Sequence, residues 1–220
     1  DWDVQRLLTQ IVTSATYRQS SRPPPPPPLS NPQSADPDNR LLWRMNQRRL
    51  SAEEIRDTVL LAAGKLDTRA GGPGFMDFEI EHPEHSPHYG YGKYDPNDPK
   101  THRRTIYRFI VRSQPQPFMN TLDCADPGLS VPKRDESITA LQALAMLNNR
   151  FMIAMSAHFA DRLKRDAAGL REQLDLGFRL TTGRSPTDSE LQLLAKYASE
   201  FGLANTCRVI LNLNEFVFVD

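Results

Sequence analysis

A mainly α fold with one small β element is what this sequence predicts, and three observations predict it. Apolar residues recur at the 3-and-4 spacing of amphipathic helices near the start of the chain and through its last third. Ser51 with Glu54, and Thr187 with Glu190, form the S/T-x-x-E pattern that starts a helix. Residues 103–113, RRTIYRFIVRS, have the fullest β-branched and aromatic content of a strand.

The elements follow in order. Val4, Leu7, Leu8, Ile11 and Val12 predict a helix over 2–17. Residues 20–38 include six consecutive prolines at 23–28, which cannot donate backbone hydrogen bonds, so this stretch reads as an extended surface connection. A proline-rich recognition ligand is the functional alternative for that tract. NRLLWRMNQR, 39–48, reads as a second helical region. After the Ser51 cap, Ile55, Val59, Ala62, Ala63 and Leu66 form one apolar stripe. GGPG at 71–74 ends that helix, and residues 70–101 read as an irregular loop rich in His and Tyr, with a short strand at FMDFEI, 75–80. The strand at 103–113 follows, and QPQPF breaks it. Beyond the irregular LDCADPGLSVPKRD, helices are expected at 138–148, 149–165, 168–182, from Thr187 onward, and at 203–218. The whole, 1–220, reads as a single domain, the C-terminal module of something larger.

Composition excludes several classes of function. The chain carries 27 basic and 27 acidic residues, so it lacks the one-sided positive field that nucleic-acid or anionic-membrane binding needs. No apolar run approaches the 18 residues of a membrane span. The two cysteines, Cys124 and Cys207, form no CxxC or CxxCH, so neither a paired-cysteine zinc site nor covalent haem attachment is expected in this chain. They fit either buried free thiols or one long-range disulfide. The opening stretch DWDVQRLLTQIVTSA has no leader pattern, which points to the cytosol or to a piece of a larger protein.

Four groups of residues bear on chemistry. His82, His85 and His88 are three apart, but Pro83 and Pro87 interrupt any helix there. In a polyproline-like chain they would lie roughly 9 Å apart, too far for one metal without tight turns, so no metal ligand is assigned. Tyr89, Tyr91 and Tyr94 either stack on sugar rings or pin their glycine-rich loop through ring burial and a hydroxyl bond. Cys124 would need a base to act as a nucleophile; His158 falls beside Met155 and Phe159 on a helix face and reads as a half-buried, hydrogen-bonded side chain. Arg104, Arg108 and Arg112 recur every four residues, while Asp123, Asp126, Arg134 and Asp135 lie in the irregular segment that follows. Guanidinium groups bind carboxylates or sulfates bidentately. These seven residues therefore read either as fasteners, with the aspartates pairing with the arginines, or as part of a ligand cleft.

Several stretches together resemble one family. RLLTQIVTSATYRQSS, DPDNRLLWRMNQRRLSAEEIRD, RRTIYRFIVRS, SITALQALAMLNNRFM and the ending ILNLNEFVFVD look like a C-terminal domain of unknown function from large exported bacterial proteins, known mostly from planctomycetes. The resemblance covers nearly the whole chain in the same order. It implies the last module behind a c-type cytochrome domain and a companion domain, an extracytoplasmic location, and a setting of polysaccharide breakdown beside sulfatases. Its partners would be the other domains of the parent protein, with carbohydrate as a candidate ligand. The family carries no established catalytic residues. The polyproline tract is a departure from its pattern, and the chain starts where the family's domain is already under way. Two readings follow: a non-haem module with no cofactor of its own that serves assembly or substrate presentation, or a hydrolytic or oxidative carbohydrate-active domain using the histidine loop or the Arg/Asp cluster.

Overall fold

The computed structural model describes residues 2–21, 32–81 and 87–219. They form ten helices and two short antiparallel strand pairs, so the fold is mainly α as expected. The chain divides into two compact units, Asp1–Arg49 with Phe218–Asp220, and Leu50–Val217.

In the first unit, α1 (Val4–Thr13) is capped by Asp3, whose carboxylate accepts the Arg6 amide at 2.9 Å. A short helix, α2 (Pro32–Ala35), precedes the region that 3.6-residue periodicity assigns to a helix at 39–48. That expectation fails. Asn39 and Leu42 take φ of 55°, a left-handed conformation that a helix cannot contain. Asp36 supplies the alternative: its two carboxylate oxygens accept the Arg40 and Leu41 amides at 2.9 and 2.7 Å. These side-chain bonds satisfy locally what a helical ladder would otherwise satisfy. Strand β1 (Arg48–Arg49) then pairs with the final strand of the chain, with Arg48 opposite Val219 and Arg49 opposite Phe218.

The second unit opens with α3 (Ala52–Ala62), where both halves of the Ser51–Glu54 capping box form. Ile55, Val59 and Leu60 lie fully buried on its inner face. A hairpin of β2 (Glu79–Glu81) and β3 (His88–Gly90) follows. Residues 103–113 are not a strand. Arg103 and Arg108 each make one isolated parallel bridge, to Asp67 and Phe75, and Thr105–Tyr107 between them form a turn of 3-10 helix. The Arg103 guanidinium accounts for part of this, since it donates to the carbonyls of Arg69, Gly71 and Pro73 and stacks on the Tyr107 ring. Side-chain bonds thus hold the 69–73 turn where a neighbouring strand would have to lie.

The remaining helices are α4 (Pro117–Thr121), α5 (Ala140–Asn148), α6 (Arg150–Asp166), α7 (Leu170–Thr182), α8 (Asp188–Phe201), α9 (Leu203–Ile210) and α10 (Asn214–Val217), followed by β4 (Phe218–Val219). The last expected helix, 203–218, is thus broken into two short ones and a strand. α6 is the central member, packing on α3, α5, α7 and α9. Its Met152, Met155, Phe159 and Leu163 meet Leu174, Cys207 and Leu211 in the core. Burial of these side chains, each worth about 1.5–3 kcal/mol, holds the helices together. At Gly177 a Cβ would stand 2.8 Å from Leu163 Cδ1, so the glycine permits α7 to approach α6 closely. Among the described residues, no helix is long and apolar enough to cross a membrane.

Candidate functional site

Helix α3 turns a second, partly polar face outward. Glu53, Asp57 and Leu61 follow at four-residue intervals and so share that face. The segment 104–110 lies alongside it: Asp57 Oδ1 accepts the Thr105 amide at 2.8 Å and the Thr105 hydroxyl at 2.6 Å. Between them runs a cleft of about 710 Å³. Leu61, Leu66, Ile106 and Ile110 give it an aliphatic lining, and Glu53, Glu54, Asp57, Arg104 and Arg134 form the charged rim.

The rim charges are tied to one another and to backbone. Arg134 donates to Glu53 Oε2 at 2.9 Å, and the Cys124 thiol faces Glu53 Oε1 at 3.8 Å. Glu54 accepts the Ser51 amide at 2.8 Å as the reciprocal half of the cap. Arg104 Nε lies 3.8 Å from Asp57 Oδ2. Burial and the Glu53 carboxylate both push the Cys124 thiol pKa up, the reverse of what an activated nucleophile needs.

The seven residues singled out from the sequence thus separate. Arg104 and Arg134 line the cleft. Arg108 points inward, where its guanidinium meets the carboxylate of Asp77 at 3.7 Å with both side chains almost wholly buried. Arg112 is exposed. The 3-10 turn at Thr105–Tyr107 explains the split, because neither a strand nor an α-helix persists to keep a four-residue repeat on one face. Asp123 accepts from the Ser137 amide at 2.8 Å and from the Gln142 side chain at 3.0 Å. Asp126 accepts the Gly128 amide, and Asp135 is exposed. The expected pairing of these aspartates with the arginines is therefore corrected. Arg104, Arg108 and Arg134 do meet carboxylates, but those of Asp57, Asp77 and Glu53.

Behind the cleft lies a buried polar cluster that sequence reasoning missed. Arg56, on the inner side of α3, donates to the carbonyls of Thr101 and Arg103 and to the Thr105 hydroxyl, and its guanidinium lies over the rings of Phe75 and Phe151. Burial lowers its pKa, against the pull of Asp77, Tyr94 and Asp57. Burial likewise raises the pKa of Asp77, against the guanidiniums of Arg108 and Arg56. Among the described residues, Asp77 Oδ1 and Arg108 Nε have no hydrogen-bond partner. The available signal was Asp77 between Met76 and Phe78 in the largely apolar run FMDFEI, and an arginine beside the Ile55–Val59 stripe.

The tyrosines act as pins. Tyr89 and Tyr91 pack edge-on against Phe78, and the Tyr91 hydroxyl donates to the Gln114 carbonyl at 2.8 Å. Burial pushes the Tyr94 hydroxyl up to about 12. His158 is half-buried and hydrogen-bonded to Asn97 at 3.0 Å, as its helix position implied. Of the spaced histidines, His82 and His85 lie outside the described residues, and His88 is exposed on β3. Among the described residues, no group of three His, Cys, Asp or Glu side chains is arranged to hold a metal ion. Cys124 and Cys207 are both free thiols, and burial pushes Cys207 up to about 12.

No curated protein and no solved structure matches the chain. A match to one family runs from residue 1 to residue 198, spanning the cleft, the hairpin and the helices up to α8. The chain belongs to that family, described as PSD1, protein of unknown function (DUF1553).

Proposed function

We propose that the chain is a binding and presentation module, with no haem or other cofactor of its own, that holds a ligand in the α3 cleft. The observation that carries this reading is the engagement of the cleft's carboxylates. Asp57 is bound by a backbone amide and a hydroxyl, Glu54 closes a helix cap, and Glu53 is paired with Arg134. A general acid or base must exchange its proton with substrate; Asp57 and Glu54 are committed to backbone and hydroxyl donors, while Glu53 is held only by a half-exposed ion pair. The aliphatic lining and the half-exposed guanidiniums of Arg104 and Arg134 remain for a ligand. The setting we propose is that of the resemblance: an exported, planctomycete-type, cytochrome-linked protein concerned with polysaccharide, whose other domains are the natural partners.

The second reading, a carbohydrate-active enzyme, is favoured by one observation. Carboxylates and guanidiniums share a cleft large enough for a sugar unit. Titrating neutral gluco-oligosaccharides, uronate oligosaccharides and sulfated galactan oligosaccharides by calorimetry, with product analysis of the same samples, separates the two. Binding without turnover, weakened about ten-fold or more by Arg104→Gln, is expected. Turnover abolished by Asp57→Asn would establish the enzyme reading, and no binding by any of the three classes would remove carbohydrate as the ligand.

A further inference from the structure

We propose that residues 124–136 form a hinged strap at the mouth of the α3 cleft, latched by the Arg134–Glu53 pair. The strap has a firm neck and a loose body. At the neck, Asp123 takes a left-handed φ of 60° and accepts the Ser137 amide at 2.8 Å, the Ser137 hydroxyl at 2.9 Å and the Gln142 side chain at 3.0 Å. Gln142 belongs to the capping box that starts α5, so the neck is anchored to a helix terminus. A non-glycine residue held at positive φ marks a place where surroundings over-determine the backbone. Compact loops with joined ends of this kind are commonly functional.

Between the ends of the neck, residues 125–136 are all exposed and contain no helix or strand. Segments with few buried contacts sit at the low end of local stability, from which moving lids are drawn. Pro127 and Pro132 stiffen the body, which favours movement as one piece. Arg134 reaches from it to Glu53 at 2.9 Å and itself lines the cleft. Leu129 and Val131 on the strap, and Leu61, Ile106 and Ile110 in the cleft, are each more than half exposed. The latched state leaves both apolar sets uncovered, so the ion pair and not apolar packing holds the strap in place. An exposed ion pair of this kind favours one state by a factor of roughly two to five, which suits a latch that must open. The strap's role as a gate rests on the cleft being the binding site; its movement does not, and can be measured without ligand.

Cys124 supplies the probe, since its sulfur lies beside the latch at Glu53. N-ethylmaleimide labelling of the folded protein is followed by mass spectrometry for wild type and Arg134→Gln. The Arg134 charge pulls the Cys124 pKa down, so on electrostatics alone its removal slows labelling. The latch predicts the opposite, a rise of roughly two- to five-fold, with buried Cys207 unlabelled. Equal or slower labelling would overturn the proposal. If Cys207 reacts too, the variant has unfolded, and wild type in roughly 0.5 M sodium chloride decides. There Cys124, compared as thiolate rates taken from the pH dependence so that screening of Glu53 drops out, must accelerate while Cys207 stays protected, and no acceleration overturns the strap. A strap that opens in a protein binding no oligosaccharide would sink the carbohydrate reading alone.

Discussion

Arg108 and Arg134 make the same kind of contact in opposite surroundings, and the difference sets their energetic weight. Arg108 and Asp77 are both buried, 3.7 Å apart, each with an atom unpartnered among the described residues. Removing one partner leaves an uncompensated buried charge, so Arg108→Ala should cost roughly 3–5 kcal/mol in denaturant unfolding. Replacing both, with Arg108→Met and Asp77→Leu, should restore part of that loss, because the carboxylate is no longer stranded although buried Arg56 loses the pull of Asp77. A double variant as unstable as the single one would show that the stranded carboxylate is not the cause. Arg134 and Glu53 stand half in solvent, and Arg134→Ala should cost about 1 kcal/mol or less. The arginines were visible in the sequence as a group; their division was not, because a four-residue repeat fixes a shared face only in a regular element.

Among the elements, most helices were read well, those at 39–48 and 203–218 excepted, and the short β pieces poorly. The Ser51 and Thr187 caps stand where their spacing placed them, since a capping box is decided within four residues. Residues 103–113 have strand content, but a strand also needs a partner, and Arg103 holds the adjoining turn with its own hydrogen bonds. Two predictions belong to this scale. Gly177→Ala would normally add helix propensity worth about 1 kcal/mol. Here the new methyl meets fully buried Leu163 at 2.8 Å, so the net effect on stability should be a loss of about 1–2 kcal/mol. A rise in melting temperature would refute the close α6–α7 contact.

The second prediction concerns acid. Arg184 joins Glu190 at the start of α8 to Glu215 in α10, and it holds the Glu190 pKa at about 2 against an ordinary 4.5. A carboxyl depressed in the folded state stabilises above its ordinary pKa and loses that contribution as pH falls towards the folded value. Glu190→Gln should therefore lower the melting temperature at neutral pH and flatten its fall between about pH 5 and 2. Parallel wild-type and variant profiles through that window would contradict the linkage.

At the scale of the whole molecule, the mainly α architecture was legible because apolar periodicity persists through the last third of the chain. The cleft was legible only in part. Arg104 and Arg134 were singled out from the sequence, whereas Glu53 and Asp57 looked like ordinary acidic residues of a helix's first turns. A cleft arises from elements about fifty residues apart in the chain, and no local pattern announces that approach. The central claim is that this cleft, rather than the tyrosine hairpin, receives the ligand. Amide chemical-shift mapping tests it most directly, with the tightest-binding oligosaccharide class added to isotope-labelled protein. The account predicts shifts centred on residues 51–61, 104–110 and 134. Shifts centred on residues 78–94, with the α3 amides unmoved, would contradict it.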